Sequence, residues 1–260
     1  MILYEDKDII VCHKMAGIAV QSARIGEKDM VSMLNNHLME QADQRMEPVR
    51  VVHRLDQPVE GIVVFAKNKK AAASLSAQIT DGSMKKVYQA VCCVTEAGGH
   101  WIENAGKNDQ ELIDYMSKDA KTNSSAVVTK DRKGAKEARL SFWILSYREV
   151  QEQRMAEAGD VLGYALAEIH LATGRHHQIR VQMAHAGLPL FGDRKYNPDW
   201  ELYAKAWQAQ MVNESADHAA HRLPAAELAL CATELTFRHP KTGKPMHFQV
   251  KPQKSVFQTF

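Results

Sequence analysis

The sequence predicts an α+β fold on a largely antiparallel sheet, and three observations carry that prediction. Strand-like apolar runs outnumber helical ones, eight against four. The two kinds do not alternate in the order of a doubly wound parallel sheet. Of the 260 residues, 45% are hydrophobic, enough for a well-buried core.

In chain order, strands are expected near 8–13, 49–52, 61–67, 86–94, 138–147, 163–172, 228–237 and 246–250. Helical periodicity marks 30–41, 69–79, 175–186 and 200–213. For the third helix, Thr173 is the expected N-cap and Ile179, Val181, Met183 and Ala184 form the apolar side. Gly187 is its expected C′ residue, and Pro189 stops it. Segment 104–136, rich in Lys, Asp, Asn and Ser, reads as an excursion from the sheet. Residues 197–224 read as an insertion, helical and then looped. Gly98-Gly99 and Gly106 read as turn residues, because no Gly-x-Gly-x-x-Gly follows a strand. With no internal repeat or low-complexity linker, a single domain over 1–260 is expected.

Composition excludes several classes. No apolar run reaches transmembrane length, and Met1 to Asp6 lacks the basic region and apolar stretch of a signal peptide. Cys12, Cys92, Cys93 and Cys231 lie in apolar runs without a Cys-x-x-Cys pair, so buried reduced thiols are expected. These features predict a cytoplasmic protein without membrane contact. Twelve histidines suggest metal, but His176 and His177 are adjacent, and His218 and His221 lack a second ligand pair, so no metal site is expected. Net charge is only +2. Cations gather at Lys67, Lys69, Lys70, Lys85 and Lys86, at Lys130 to Arg139, and after Arg238; acidic residues concentrate at Glu149, Glu152, Glu157 and Asp160. Most such lysines are solvated surface charges, but together they suit a phosphate backbone.

Two segments carry the chemistry. In residues 51–67, a polar stretch with His53, Arg54, Asp56 and Glu60 lies between two apolar runs, next to Pro58 and Gly61. A carboxylate held by rigid neighbours is a candidate catalytic group, although Arg-x-Asp alone more often marks a solvated turn. In the second segment, Arg175, His176, His177 and Arg180 crowd the expected start of a helix. They oppose its macrodipole unless an anion completes the site, either Asp56 or an RNA backbone.

The motifs resemble those of the RluA-type RNA pseudouridine synthases over nearly the whole chain. The family's His-Arg-Leu-Asp-x-x-Thr-Ser-Gly appears as His53-Arg-Leu-Asp-Gln-Pro-Val-Glu-Gly61, followed by Ala66-Lys67. Lys-x-Tyr-x-Ala appears as Lys86 to Ala90. Gly-Arg-x-His-Gln-Ile-Arg spans Gly174 to Arg180, and a Gly-x-Pro-Ile-x-Gly-Asp-x-x-Tyr relative spans Gly187 to Tyr196, with Leu190 for Ile. Tyr4 to Gly17 is similar to the family's first hairpin, with Met15 where Pro is common, and Leu228 to Pro240 matches the closing segment. The departures are Val59 and Glu60 in place of Thr and Ser. Val59 removes a hydroxyl, and Glu60 adds a charge that raises the Asp56 pKa where the two approach closely.

The resemblance implies a curved central sheet with flanking helices and the active site in its cleft. It implies isomerisation of a uridine in ribosomal or transfer RNA to pseudouridine, with no cofactor. Asp56 is then the carboxylate at the ribose, as nucleophile or base. Arg180 pairs with it and keeps it ionised, and Tyr88 stacks on the base. Arg54 fills the space left by the extracted nucleotide. His53, Arg175, His177 and Gln178 complete the expected RNA-binding set. Many relatives carry a small RNA-binding domain ahead of the catalytic one, and none is expected here; a monomer is the default. Two rivals remain: an RNA-remodelling protein without catalysis, and a hydrolase using Glu60 as its second carboxylate.

Overall fold

The computed structural model describes residues 1–22, 26–41, 47–105, 110–150, 160–214 and 227–260. His218, His221, Gly106, Glu152 and Glu157 lie outside the described residues. The strands belong to a mixed, mostly antiparallel, open sheet accompanied by helices, the expected fold class. The chain divides into two compact units, Met1–Tyr88 with Cys231–Pro252, and Gln89–Leu230 with Gln253–Phe260.

The first unit is built on β2 (Ile9–Lys14) and β4 (Glu60–Ala66), both buried along their whole length. Burial on two faces is why each reads as a continuous apolar run rather than an alternation. They pair antiparallel from Ile9 opposite Ala66 to Lys14 opposite Gly61. β1 (Ile2–Glu5) extends this sheet beside β2, and the short β3 (Arg50–Val51) pairs with β4. On the other side of β4, β10 (Leu230–Arg238) pairs in parallel, with Cys231 opposite Glu60 and Ala232 opposite Gly61. β11 (Pro245–Gln249) follows antiparallel on β10.

Two helices accompany this sheet segment. α1 (Met30–Gln41) starts with a reciprocal capping box: the Ser32 amide donates to the Asp29 carboxylate at 2.7 Å, and the Asp29 amide donates to the Ser32 hydroxyl at 3.2 Å. α2 (Lys69–Thr80) is capped by Asn68, whose side chain accepts from the Ala71 amide. Its Ala71 and Leu75 join Ile9, Val11, Ile62, Val64, Leu235 and Phe237 in one apolar cluster. Fully burying each of the larger aliphatic side chains contributes roughly 1.5–3 kcal/mol.

The second unit holds most of β5 (Lys85–Thr95) with β8 (Lys136–Glu149) and β9 (Val161–Leu171), the latter two paired antiparallel around a bulge between Ile144 and Ser146. Gly98 and Gly99 form a turn leading into the short α3 (Gly99–Glu103). The expected excursion over 104–136 is instead largely sheet. β6 (Gln110–Asp119) pairs with β8 from Gln110 opposite Phe142 to Met116 opposite Lys136, and β7 (Ser124–Val128) pairs with β6. Gln110, Leu112 and Met116 are buried on one side, but that side also carries the half-buried Asp114 while Ile113 is exposed on the other, so the mixing of polar and apolar residues hides a period-two strand.

α4 (Gln178–His185) corrects a second expectation. It starts three residues later than the periodicity suggested, because His177 adopts a left-handed backbone at φ 55°. Thr173 is therefore not the N-cap: its hydroxyl accepts the Arg139 amide and donates to the Gln178 side chain. The C-terminal end is as expected. Leu188 donates to the Met183 carbonyl and Gly187 (φ 76°) to the Ala184 carbonyl, a Schellman closure.

The insertion's helical part is α5 (Trp200–Glu214), and it belongs to the core. Trp207 and Tyr203 are buried, the Trp207 ring meets Tyr164 edge-on at 4.7 Å, and the Tyr164 hydroxyl donates to the Tyr203 carbonyl at 2.6 Å. The end of the expected insertion lies outside the described residues. All four cysteines are buried thiols outside any disulfide, and burial pushes the Cys12 and Cys92 thiols up to about 12. No helix among the described residues is long and apolar enough to cross a membrane.

Candidate active site

In the first unit, Asp56 sits in a turn braced from both sides. Its carbonyl accepts the Val59 amide at 3.0 Å. The carbonyl of the next residue, Gln57, accepts from the Gly17 amide at 2.8 Å and from the Lys14 ammonium at 3.1 Å. The Gln57 side chain returns a bond to the Gly17 carbonyl at 3.0 Å. Lys14 is fully buried, and its ammonium also donates to the carbonyls of Met15 and Ile18. Charge-assisted bonds to carbonyls compensate for burying the cation. The solvated-turn reading does not describe this arrangement: Asp56 hangs from a backbone clamped to the β2–α1 connection.

His53 holds the other end of the same loop. β3 stops at Val51, opposite Phe65, and the next β4 amide, Val64, donates to His53 Nε2 at 3.1 Å instead of to a strand partner. An accepting Nε2 makes the ring neutral with its proton on Nδ1. Burial, assisted by the positive charge of Lys86, drives the His53 pKa from 6.5 down to about 3. Between these values the unfolded chain takes up a proton that the folded chain refuses. Stability attributable to His53 therefore falls as pH drops below 6.5, by up to about 1.4 kcal/mol per pH unit. A His53→Gln variant keeps an acceptor but cannot titrate. Its Tm is expected to fall less steeply than wild type between pH 6.5 and about pH 4; parallel curves count against this placement of the ring.

Leu55 and Val59 are buried on either side of Asp56, and Glu60 is 1% exposed. A Thr hydroxyl at Val59 would need a partner in this buried position, so the valine suits its surroundings. The Glu60 charge acts on His13, pulling its pKa up against the larger downward effect of burial. Gly61 follows with φ 130°, and a Cβ there would stand 2.4–2.6 Å from atoms of Ala232 on β10. Tyr88 on β5 is 6% exposed. Its phenol pKa is raised first by burial and then by the nearby Asp56 carboxylate and Cys231 thiol, so it stays protonated at neutral pH. Arg54 is exposed and, among the described residues, has neither a hydrogen bond nor an ion pair.

In the second unit the Gly174–Arg180 segment forms a dense polar network. Gln178 is buried, and its side chain is occupied by protein. Its oxygen accepts from the Thr173 hydroxyl at 2.8 Å and the Arg175 amide at 2.9 Å; its nitrogen donates to the Arg139 carbonyl and to Gln182. Arg175 Nε donates to the Glu137 carbonyl at 2.7 Å. The His176 and His177 rings stack at 3.7 Å rather than pointing apart, as their expected helical placement implied, because neither lies within the helix. His176 Nδ1 bonds the Ser125 hydroxyl and His177 Nδ1 the Tyr196 hydroxyl. Arg180 makes a bidentate pair with Asp193, two bonds of 2.7 Å, above the Tyr196 ring at 5.0 Å.

The sequence model of the family described as RNA pseudouridylate synthase matches residues 8–185. The chain belongs to this family. The tRNA pseudouridine synthase C of Vibrio cholerae is 28% identical over 94% of this chain and 88% of its own length. The ribosomal large subunit pseudouridine synthase C of Buchnera aphidicola is 27% identical over 100% of this chain and 69% of its own. The fold is similar to the solved human RNA pseudouridylate synthase domain containing 4, with TM-score 0.68, 19% identity and coverage of 99% and 90%.

Set against the family motifs, the structure adds residues to which the sequence assigned no role. Asp193 and Tyr196 stand in the Gly-Asp-x-x-Tyr run, whose spacing was their only signal. Lys14 and Ser125 had none, because their partners lie far away in sequence. Several expected phosphate contacts have protein partners: Lys67 is buried in an ion pair with Glu5 at 2.9 Å, and the Lys254 ammonium donates to the Leu228 carbonyl. Lys69, Lys70, Lys85, Lys130, Arg132 and Lys133 are exposed. Among the described residues one trio, Asp6, Asp8 and His239, has metal-like spacing. Its atoms serve the fold: Asp6 accepts from two amides, Tyr4 and His239, while His239 Nδ1 accepts the Lys241 and Thr242 amides.

Proposed function

We propose that this protein isomerises uridine in ribosomal or transfer RNA to pseudouridine, with Asp56, Tyr88 and Arg180 as the catalytic residues. The observation that carries the reading is the family match over residues 8–185, with Asp56 on a braced turn within electrostatic reach of Tyr88. The names of the relatives support both RNA classes as substrate. The C1′–N1 bond of the uridine breaks, the base turns, and a C1′–C5 bond forms. The proton on C5 leaves to solvent and N1 gains one, so the reaction is redox-neutral and consumes no cofactor. Asp56 supplies the carboxylate at the ribose, and the protonated Tyr88 faces the base with an apolar ring and one O–H. Arg180 supplies a guanidinium to the reaction. One catalytic domain working as a cytoplasmic monomer is the simplest form of this proposal.

RNA capture falls to Arg54, Arg175 and His177, with His53 and Gln178 acting by bracing the turns that carry Arg54 and Arg175. Extracting a stacked uridine costs a few kcal/mol, and the exposed, unpartnered Arg54 is suited to fill the space. A planar guanidinium stacks on bases and bonds phosphates together, which an ammonium does not. Arg54→Lys is expected to slow turnover on structured RNA about tenfold more than on a single-stranded substrate. Equal losses on both remove the wedge role. The function itself is tested with RNA carrying tritium at C5 of uridine: the isomerase releases tritium, whereas a remodelling protein releases none. A hydrolase would liberate free uracil instead.

A further inference from the structure

The Asp193 carboxylate grips one edge of the Arg180 guanidinium. Asp193 takes its Nε and Nη2 hydrogens at 2.7 Å each, and the carboxylate side chain is wholly buried. A bidentate grip on that edge fixes the guanidinium plane, and with it the direction of the remaining Nη1 edge. Asp193 is held in turn by its own loop. Its Oδ1 accepts the amides of Lys195 at 2.9 Å and Tyr196 at 3.2 Å. The Tyr196 ring lies against the guanidinium, and its hydroxyl accepts the Ser125 amide at 2.9 Å. The Asp193 and Tyr196 contacts together restrain rotation of the guanidinium.

We propose that Asp193 is a positioning residue for pseudouridine formation, acting through Arg180. The proposal rests on the isomerase reading above. Asp193→Asn keeps the shape but leaves one acceptor oxygen for a two-pronged donor, so the grip on the Nε–Nη2 edge loosens. Misplacement of a catalytic group by about an ångström slows chemistry by roughly 100-fold.

The experiment measures single-turnover tritium release, RNA affinity by filter binding and Tm for Asp193→Asn, Asp193→Glu and Arg180→Ala, and for Asp193→Asn combined with Arg180→Ala. Asp193→Asn is expected to lose about 100-fold in rate with affinity within about threefold of wild type. In the Arg180→Ala background the same change is expected to alter the rate by less than about threefold, because the group it positions is gone. A purely structural role would lower the rate in both backgrounds alike. Asp193→Glu, which keeps the charge but shifts it by one methylene, is expected to lose about tenfold. It decides the matter if the Asn variant does not fold: a wild-type rate in Asp193→Glu then overturns the role. An Asn variant within about threefold of the wild-type rate, or losses that multiply with Arg180→Ala, also overturn it. If the wild-type protein releases no tritium, the isomerase reading itself falls, and the role of Asp193 falls with it.

Discussion

Asp56→Asn is expected to lower pseudouridine formation by a factor on the order of 10⁴ or more, with RNA affinity within about threefold of wild type. The physical case is that asparagine is nearly isosteric and that four braces on this turn run through other atoms. They are the Asp56 carbonyl with the Val59 amide, and Gln57 with Gly17 and Lys14. Geometry is thus retained while the anion, whether it acts as nucleophile or base, is lost. Tritium release in single turnover and filter binding on the same RNA are the two measurements. Residual activity within a hundredfold of wild type would move the chemistry to another residue. A second expected sign is that the Tyr88 phenol titrates at lower pH in the variant, because one cause of its raised pKa is the Asp56 charge. An ultraviolet titration reads this independently of turnover.

Gly61→Ala has the largest expected effect on stability, a loss of roughly 3–5 kcal/mol. Two penalties add there. The backbone sits at φ 130°, which L side chains rarely adopt, and the new Cβ would meet the Ala232 oxygen, nitrogen and Cβ at 2.4–2.6 Å. The atoms it meets are mainly backbone of a paired strand, so they cannot rotate away. For a chain of this size the Tm is expected to fall by about 10 °C or more. Gly243→Ala is a suitable control, since φ there is 68° but nothing lies within 4 Å of a Cβ. Strain alone is expected to cost it about 1–2 kcal/mol. Similar losses in the two variants would show that the close approach of β4 and β10 is not what fixes the glycine.

The strands were largely legible because their signal is local. β2, β4, β5, β8, β9, β10 and β11 each fall within a few residues of an apolar run, and β4 and β2 are unbroken because both of their faces are covered. β6 and β7 were missed because polar and apolar residues mix on both faces of β6, and β7 is only five residues long and opens on two serines, so composition masked periodicity. The start of α4 was missed because apolar spacing continues smoothly through 175–180, whereas the backbone does not. His177 leaves the helical region there, and Gln178 accepts from Thr173 and Arg175 and donates to the Arg139 carbonyl.

At the site, residue types were visible and their partners were not. His53, Asp56, Tyr88, Arg175, His177, Gln178 and Arg180 could be singled out by motif, yet His53 turns out to cap a strand amide and Gln178 to be saturated by protein. Taken alone, the chain of residues determined the family, the class of fold and the side chains to which the chemistry is assigned, because these depend on near-neighbour patterns and on a few ordered motifs. Only the tertiary structure decided that Lys14 clamps the Asp56 turn, that Asp193 orients Arg180 and that Ser125 holds Tyr196. Each of those depends on a bond whose two ends are 13 to 71 residues apart, and a directional bond of a few ångströms leaves no periodic trace along the chain.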